Sequence, residues 1–158
     1  MPYLIVIGGP TGIGKTKVAM EIAKVLSCPI VSADSRQVYR EMNIGTAKPT
    51  WKDRTEIEHH FIDNLSIHDE YSVGDFERDV LKKLSELYKE HRVVIMVGGT
   101  GLYINAVLYG LDEFPNIKEC VREKYNALFL KDGKEPLQKM LFEKDPAYAK
   151  KVDIDNPH

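Results

Sequence analysis

The sequence predicts a parallel α/β sheet flanked by helices, and three observations carry that expectation. Three short runs, Tyr3-Leu4-Ile5-Val6-Ile7, Pro29-Ile30-Val31-Ser32-Ala33 and Val93-Val94-Ile95-Met96-Val97, are largely apolar on both faces, as strands covered by helices on both sides must be. Segments with helical spacing alternate with these runs, which favours crossover connections over hairpins. Each run also ends in glycine or polar residues (Gly8-Gly9, Asp34-Ser35, Gly98-Gly99), and open sheets of this class gather ligands beyond the carboxyl ends of their strands. Ile7, Ala33 and Val97 therefore direct the residues that follow them toward one crevice.

The first run leads into Gly9-Pro10-Thr11-Gly12-Ile13-Gly14-Lys15-Thr16, which fits the phosphate-cradling pattern G-x-x-x-x-G-K-[ST]. A helix is expected from Lys15 to Ser27, since Val18, Ala19, Ile22, Ala23 and Leu26 recur at helical spacing. Strand, loop and helix thus occur in the order the pattern requires, the context of a phosphate-loop NTPase-like sheet. Glycines let the loop turn its N–H groups inward on an anion, and the helix N-terminus adds partial positive charge. Lys15 supplies a full charge to the terminal phosphates, and the Thr16 hydroxyl suits Mg²⁺, which takes oxygen ligands and keeps several waters.

After the second run, Val73, Phe76, Val80, Leu84 and Leu87 mark one helix face, with Ser72 and Asp75 placed as a capping box. The third run is followed by a helix from about Gly101 to Tyr109, stopped by Gly110. Beyond Leu111 the composition changes: Pro115, Pro136, Pro146 and Pro157 divide lysine-rich pieces in which acidic residues are interleaved. A boundary near Asp112 separates an α/β core, residues 1–112, from a helical segment, residues 113–158. On charge alone, a solvated helical face explains that segment as well as an RNA surface does.

A chain of 158 residues holds one ordinary domain and a small appendage. Its net charge of −2 provides no global positive field, so any nucleic-acid binding must use a local patch. Cys28 and Cys120 stand in no metal-type spacing and read as reduced thiols of a cytoplasmic protein. No apolar run approaches the roughly 18 residues of a membrane span, so a soluble protein with no membrane role is expected.

Asp34-Ser35-Arg36-Gln37 should face the phosphate loop across the crevice. Asp34 can hold Mg²⁺ through water, act as a general base, or cap the following turn. Arg36 offers a planar fork to phosphate, and Gln37 offers a donor and an acceptor to a base edge. Gly98-Gly99-Thr100-Gly101 lacks the full dinucleotide pattern and is weak evidence by itself. His59 and His60 point apart if they lie in a strand, and read as structural or crevice-lining residues rather than a metal pair.

Five ordered blocks carry a family resemblance: Gly9 to Thr16; Ser32-Ala33-Asp34-Ser35-Arg36-Gln37-Val38-Tyr39; Ile44-Gly45-Thr46-Ala47-Lys48-Pro49; Tyr71-Ser72-Val73 with Asp75-Phe76; and Gly98-Gly99-Thr100-Gly101-Leu102-Tyr103. Together they resemble the tRNA dimethylallyltransferases over most of residues 3 to 110. The resemblance implies transfer of a dimethylallyl group from dimethylallyl diphosphate to N6 of the adenosine 3′ of the anticodon. It implies Asp34 as base, Lys15 and Thr16 with Mg²⁺ at the diphosphate, and Thr100 near the reacting base. It further implies tRNA contacts, within the anticodon stem-loop, from Asp34, Ser35, Arg36, Gln37, Thr100 and, in the helical segment, Arg122. A phosphate-loop kinase for a small metabolite, an adenylate prenyltransferase and a non-catalytic nucleotide- or RNA-binding module are the alternatives.

Two departures stand out. Glu58 replaces a common proline of the family, and the family runs to about twice this length. The resemblance therefore implies an N-terminal portion of a protein that is monomeric when intact. With only three core strands legible, a central strand is expected to lack a neighbour. Phosphate binding is expected to survive in residues 1–158 alone, and prenyl transfer to be negligible.

Overall fold

The computed structural model describes residues 1–111 and 117–154. In chain order the elements are β1 (Tyr3–Gly8), α1 (Lys15–Leu26), β2 (Ile30–Ser32), α2 (Trp51–Glu56), β3 (His59–His60), α3 (Val73–Leu87), β4 (Val93–Gly98), α4 (Gly101–Tyr109), α5 (Glu119–Asp132), α6 (Glu135–Lys144) and α7 (Pro146–Ala149). They fall into two compact units, Met1–Leu111 and Asp112–His158. The boundary expected at Asp112, and Pro115 and Pro157, lie outside the described residues.

All strand pairings in the first unit are parallel, in the order β1-β4-β2-β3. Alternation along β2 assigns one core to each face of the sheet. Ile30 packs with Ala19 and Ala23 of α1 and with Ile95, whereas Val31 packs with Phe76 and Val80 of α3, Met96 and Tyr103. The ring of Phe76 stacks on Tyr103 with centroids 4.0 Å apart. The expected capping box forms: Asp75 N donates to Ser72 Oγ at 3.2 Å, and Ser72 N donates to Asp75 Oδ2 at 2.9 Å.

Two elements depart from the sequence expectation. A Thr50–Asp53 capping box opens α2, a single short helix without a buried residue, so no apolar periodicity announces it. The fourth strand, β3, is two residues long and is fixed by pairing with β2 rather than by its own propensity. Among the described residues β4 and β2 are paired on both sides, and β1 and β3 are the two edges; of the three strands legible in the sequence, the apolar β1 has a neighbour on one side only, its residues Leu4 to Ile7 half-buried.

In β3 the two imidazoles straddle the sheet. His59 shares the α1 face with its register partner Ile30, and His60 borders a groove with Asp79, Lys82 and Glu86 of α3 on the other. Burial pushes both below the ordinary histidine pKa. For His59, Asp53 opposes that shift and Arg54 adds to it; for His60, Glu58 and Glu86 oppose and Lys83 adds. His60 Nε2 lies 3.2 Å from Glu58 Oε1, but without hydrogen-bond geometry. Because the ring stays neutral, this is not an ion pair at neutral pH.

The second unit consists of α5, α6 and α7. Pro136 and Pro146 open α6 and α7, as the fixed φ of proline favours. Asp145 Oδ1 accepts from Tyr148 N at 2.9 Å to cap α7, and Gln138 Nε2 donates to Ile154 O at 2.8 Å.

The carboxyl ends of β2 and β4 meet in close backbone packing. A Cβ added at Gly98 would lie 2.1 Å from Ala33 O and 2.3 Å from Ala33 C. Gly98→Ala must therefore push these strand ends apart and is expected to lower unfolding stability by at least about 2 kcal/mol, measured by urea titration. A change within about 0.5 kcal/mol would show that the two ends do not pack in this way. The histidine pair gives a second expectation. Both rings bind protons more readily in the unfolded chain, so stability is level above the ordinary value of 6.5 and falls as pH drops below it. Urea midpoints between pH 8 and pH 5 check this, and a His59→Gln/His60→Gln chain should show a flatter profile there.

Candidate functional site

Gly9, Gly12 and Gly14 take φ values of 153°, 86° and 95°, which side-chain-bearing residues rarely adopt. These turns carry the chain from β1 around to α1. Gly14 caps α1 with no side-chain hydrogen bond, and the first turn of the helix holds no acidic residue. The N-terminal N–H groups and the positive end of the helix dipole are thus left uncancelled. Lys15 Nζ donates to Pro10 O at 2.6 Å, folding over the same loop. The Gly98-Gly99 turn closes the opposite wall: a Cβ at Gly99 would stand 3.5 Å from Thr11 Oγ1 and 4.0 Å from Lys15 Nζ.

Between these walls lies a cavity of about 270 Å³. Thr11, Gly12, Gly14, Lys15 and Thr16 form its phosphate-loop side, and Asp34 lines it from the end of β2. Ile30, Ile62 and Val97 supply an apolar wall. Gly9, Pro10 and Ile13 belong to the loop without lining the cavity. Ile13 is exposed, and Pro10 contributes the carbonyl that holds Lys15.

Asp34 combines two of the readings its position allows. Its Oδ1 accepts from Arg36 N at 2.9 Å and from Gln37 N at 3.3 Å, an Asx-type turn that fixes the carboxylate. Its Oδ2 accepts no hydrogen bond among the described residues and remains open to a ligand. Thr100 joins the two strand ends: its N donates to Ala33 O at 3.2 Å, and its Oγ1 accepts from Ser35 N at 3.0 Å. The hydroxyls of Thr100 and Ser35 are also 3.2 Å apart. Arg36 is exposed and projects from the same turn.

Gln37 departs from the expectation that it reads a base edge. It is 8% exposed. Its Nε2 donates to Thr46 O at 2.9 Å and Ala47 O at 3.2 Å, and its Oε1 accepts from Ser32 Oγ at 2.9 Å. Both amide protons are consumed, so no donor remains for a base. Gln37 instead clamps the 43–49 loop against β2. Lys48 completes that clamp, with Nζ donating to Tyr39 O at 2.6 Å and to Asp63 Oδ1 at 2.5 Å. Asp63 also takes Arg54 Nη1 at 2.5 Å. Burial raises the Asp63 carboxyl, but the hydrogen bonds and charges of Lys48 and Arg54 outweigh it and hold the group below the usual carboxylate range.

The structure therefore brings Gly9 to Thr16, Asp34 to Gln37 and Thr100 together within the first unit. Arg122 lies exposed on α5 in the second. Ser32, Thr46 and Pro49 also line the cavity, although no local pattern singled them out for it. Among the described residues no cluster of three or more His, Cys, Asp or Glu stands ready to hold a metal. Cys28 and Cys120 are free thiols, and no described helix is long and apolar enough to cross a membrane.

Comparison with known proteins agrees with this geometry. A family model described as IPP transferase matches residues 37–158. A tRNA dimethylallyltransferase of Christiangramia forsetii is 49% identical over 156 residues, covering 99% of this chain and 52% of that protein. One from Flavobacterium psychrophilum is 49% identical over 99% of this chain and 51% of its own length. The chain thus spans about half the length of the curated relatives it matches. The crystal structure of a tRNA isopentenylpyrophosphate transferase from Bacillus halodurans superposes with a TM-score of 0.69 at 36% identity, over 99% of this chain and 52% of that one. A eukaryotic dimethylallyltransferase acting on tRNA shares the fold at a TM-score of 0.83 and 23% identity, over 99% of this chain and 39% of that one. The family-model match over residues 37–158, with relatives 49% identical over nearly the whole chain, shows that the chain belongs to the IPP transferase family.

Proposed function

We propose that this chain carries the donor-binding half of a tRNA dimethylallyltransferase, which moves a dimethylallyl group from its diphosphate to N6 of the adenosine 3′ of the anticodon. The observation that carries the reading is one cavity with a cationic phosphate-loop side, an apolar wall and an open carboxylate oxygen. Those features match an anionic diphosphate, a five-carbon tail and an amine that must lose a proton. The names of the relatives support the same assignment.

The diphosphate sits on the N-terminal N–H groups of α1 and is faced by Lys15. As the allylic C–O bond breaks, the leaving diphosphate gains negative charge, which these fixed donors stabilise without reorganising. The adenine amine forms the new N–C bond. Its lone pair is delocalised into the ring, so removal of its proton to Asp34 Oδ2 assists the attack. The Asx turn through Oδ1 keeps that carboxylate oriented. Thr16 and Asp34 present hard oxygen donors to one cavity, which suits Mg²⁺. When bound there, the ion would neutralise further charge on the diphosphate.

Because the target base is stacked in its loop, it must turn out of the stack to reach Asp34. Ser35 and Thr100, tied by their hydroxyls, form a fixed platform beside it, and Arg36 is placed to meet the RNA backbone. Arg122, exposed on α5 of the helical unit, is a further RNA-contacting candidate. The net charge of −2 leaves RNA binding to such local groups. We place this reaction in the cytoplasm.

Incubation with labelled dimethylallyl diphosphate or labelled ATP, each with and without tRNA, separates this reading from a kinase or a binding module. Label should reach tRNA only from the prenyl donor, in a chain carried to the length of its relatives; phosphorylation of a small metabolite would contradict it. Lys15→Ala in residues 1–158 should weaken binding of inorganic diphosphate by about 1.5–3 kcal/mol in calorimetry. Unchanged affinity would remove the loop from the mechanism. At the longer length, Asp34→Asn should keep tRNA affinity while slowing single-turnover transfer about 10²–10⁴-fold. A parental rate would exclude Asp34 as the base.

A further inference from the structure

The 43–49 loop joins the cavity wall in a conformation that its own residues do not favour. Ala47 takes a φ of 49°, in the left-handed region that a residue with a Cβ seldom occupies. Such a conformer persists only where its surroundings over-determine it. Gln37 supplies that constraint. Its Nε2 donates to Thr46 O at 2.9 Å and to Ala47 O at 3.2 Å, gripping the peptide groups on both sides of the Ala47 Cα. Carbonyl oxygens only accept, so Nε2 must face the loop and Oε1 must face Ser32 Oγ, 2.9 Å away. The side chain thereby ties the strained residue to β2, which is itself paired on both sides.

The neighbouring charge serves the same end. Lys48 Nζ donates its three protons to Tyr39 O, Asn43 Oδ1 and Asp63 Oδ1, so it anchors the loop and keeps none for an anion. What the two clamps hold still is part of the cavity: Thr46, Ala47 and Pro49 line it, together with Ser32 and Gln37. Ala47 and Pro49 bring hydrocarbon side chains to a space that the phosphate loop bounds elsewhere. Gln37 N, by contrast, donates to Asp34 Oδ1 at 3.3 Å, a backbone bond that a change of side chain leaves in place.

We propose that Gln37 is a positioning residue for the prenyl donor: its side-chain amide holds Ala47 in the left-handed conformation that shapes the cavity wall, and so sets affinity for the five-carbon end of the donor instead of contacting RNA. The inference rests on the assignment of this cavity to a prenyl donor. The amide acts through the loop and touches no reacting atom.

The test compares the parent with Gln37→Met, which keeps the length of the side chain and loses its hydrogen bonds. In calorimetry on residues 1–158, the variant should lose about tenfold in affinity for dimethylallyl diphosphate relative to inorganic diphosphate, the value of about one net hydrogen bond. Equal losses for both probes, as a role in the fold alone would give, overturn the proposal, and so does an unchanged ratio. At the length of its relatives, Gln37→Met should raise KM for dimethylallyl diphosphate and leave KM for tRNA within about twofold. The reverse split, the signature of an amide that reads RNA, overturns it. Because Gln37→Met can disturb the fold, the parent supplies a further readout. Gln37 and Gln138 are the two glutamines of the chain, so nitrogen-15 NMR of glutamine-labelled residues 1–158 shows two side-chain amides, with Gln138→Met identifying each. The Gln37 amide should shift more with dimethylallyl diphosphate than with inorganic diphosphate; equal shifts, or none, overturn the proposal. A parent that binds inorganic diphosphate but no dimethylallyl diphosphate overturns the prenyl-donor assignment itself, and this inference with it.

Discussion

Everything in the first unit that bears on chemistry hangs on the close approach of two strand ends, where Gly98 lies against the Ala33 carbonyl. No residue with a Cβ fits there, since the added carbon would lie 2.1 Å from that oxygen. The approach lets Ala33 N donate to Val97 O at 2.8 Å and Thr100 N to Ala33 O at 3.2 Å, so the β2 and β4 ends form one rigid junction. From it Asp34 emerges on one side and Gly99 on the other. Gly99 in turn stands beside Thr11 and Lys15, which sets the distance between the carboxylate and the phosphate loop. A single backbone contact thus fixes the geometry between the loop proposed to bind the anion and the carboxylate proposed to accept a proton.

Around that junction, local stability is given up where a ligand needs access and restored where none does. The α1 N-terminus has no cap, no acidic first turn and three glycines at positive φ before it, an arrangement that is costly for an isolated helix. By contrast, α2 and α3 are capped by reciprocal boxes at Thr50–Asp53 and Ser72–Asp75. The 43–49 loop receives the densest polar support. Gln37, Lys48 and Asp63 satisfy its carbonyls and charges from beneath, with the Lys48 side chain only 7% exposed. That loop carries Thr46 and Pro49 into the cavity, so its rigidity bears directly on the shape of the site.

The sequence made legible most of what is encoded locally, α2 with its Thr50–Asp53 box excepted. The phosphate loop follows from glycine spacing and a lysine, α3 from its period and its Ser72–Asp75 signal, and the strand ends from glycines and Asp34. What was not legible depends on contacts distant in sequence. The pairing that makes β3 a strand comes from β2, nearly thirty positions earlier, and its two histidines carry no strand signature. Gln37 looked like a base reader because a free amide offers both a donor and an acceptor. Only the fold shows that Ser32, Thr46 and Ala47 consume them. The Lys48–Asp63–Arg54 cluster is likewise invisible to any short pattern. His59 reads from the sequence as structural or crevice-lining; the fold puts it on the cavity wall, and its tautomer depends on the Ile57 carbonyl.

If the phosphate loop holds a leaving group while carbon moves to nitrogen, as proposed, the bond that breaks is carbon–oxygen. Dimethylallyl diphosphate labelled with oxygen-18 at the bridging position, reacted with tRNA by the protein at the length of its relatives, tests this directly. All the label is then expected in released diphosphate, with the five-carbon unit on N6 of adenosine. Label retained on the carbon chain or passed to the nucleic acid would mean phosphorus–oxygen cleavage, and would contradict it.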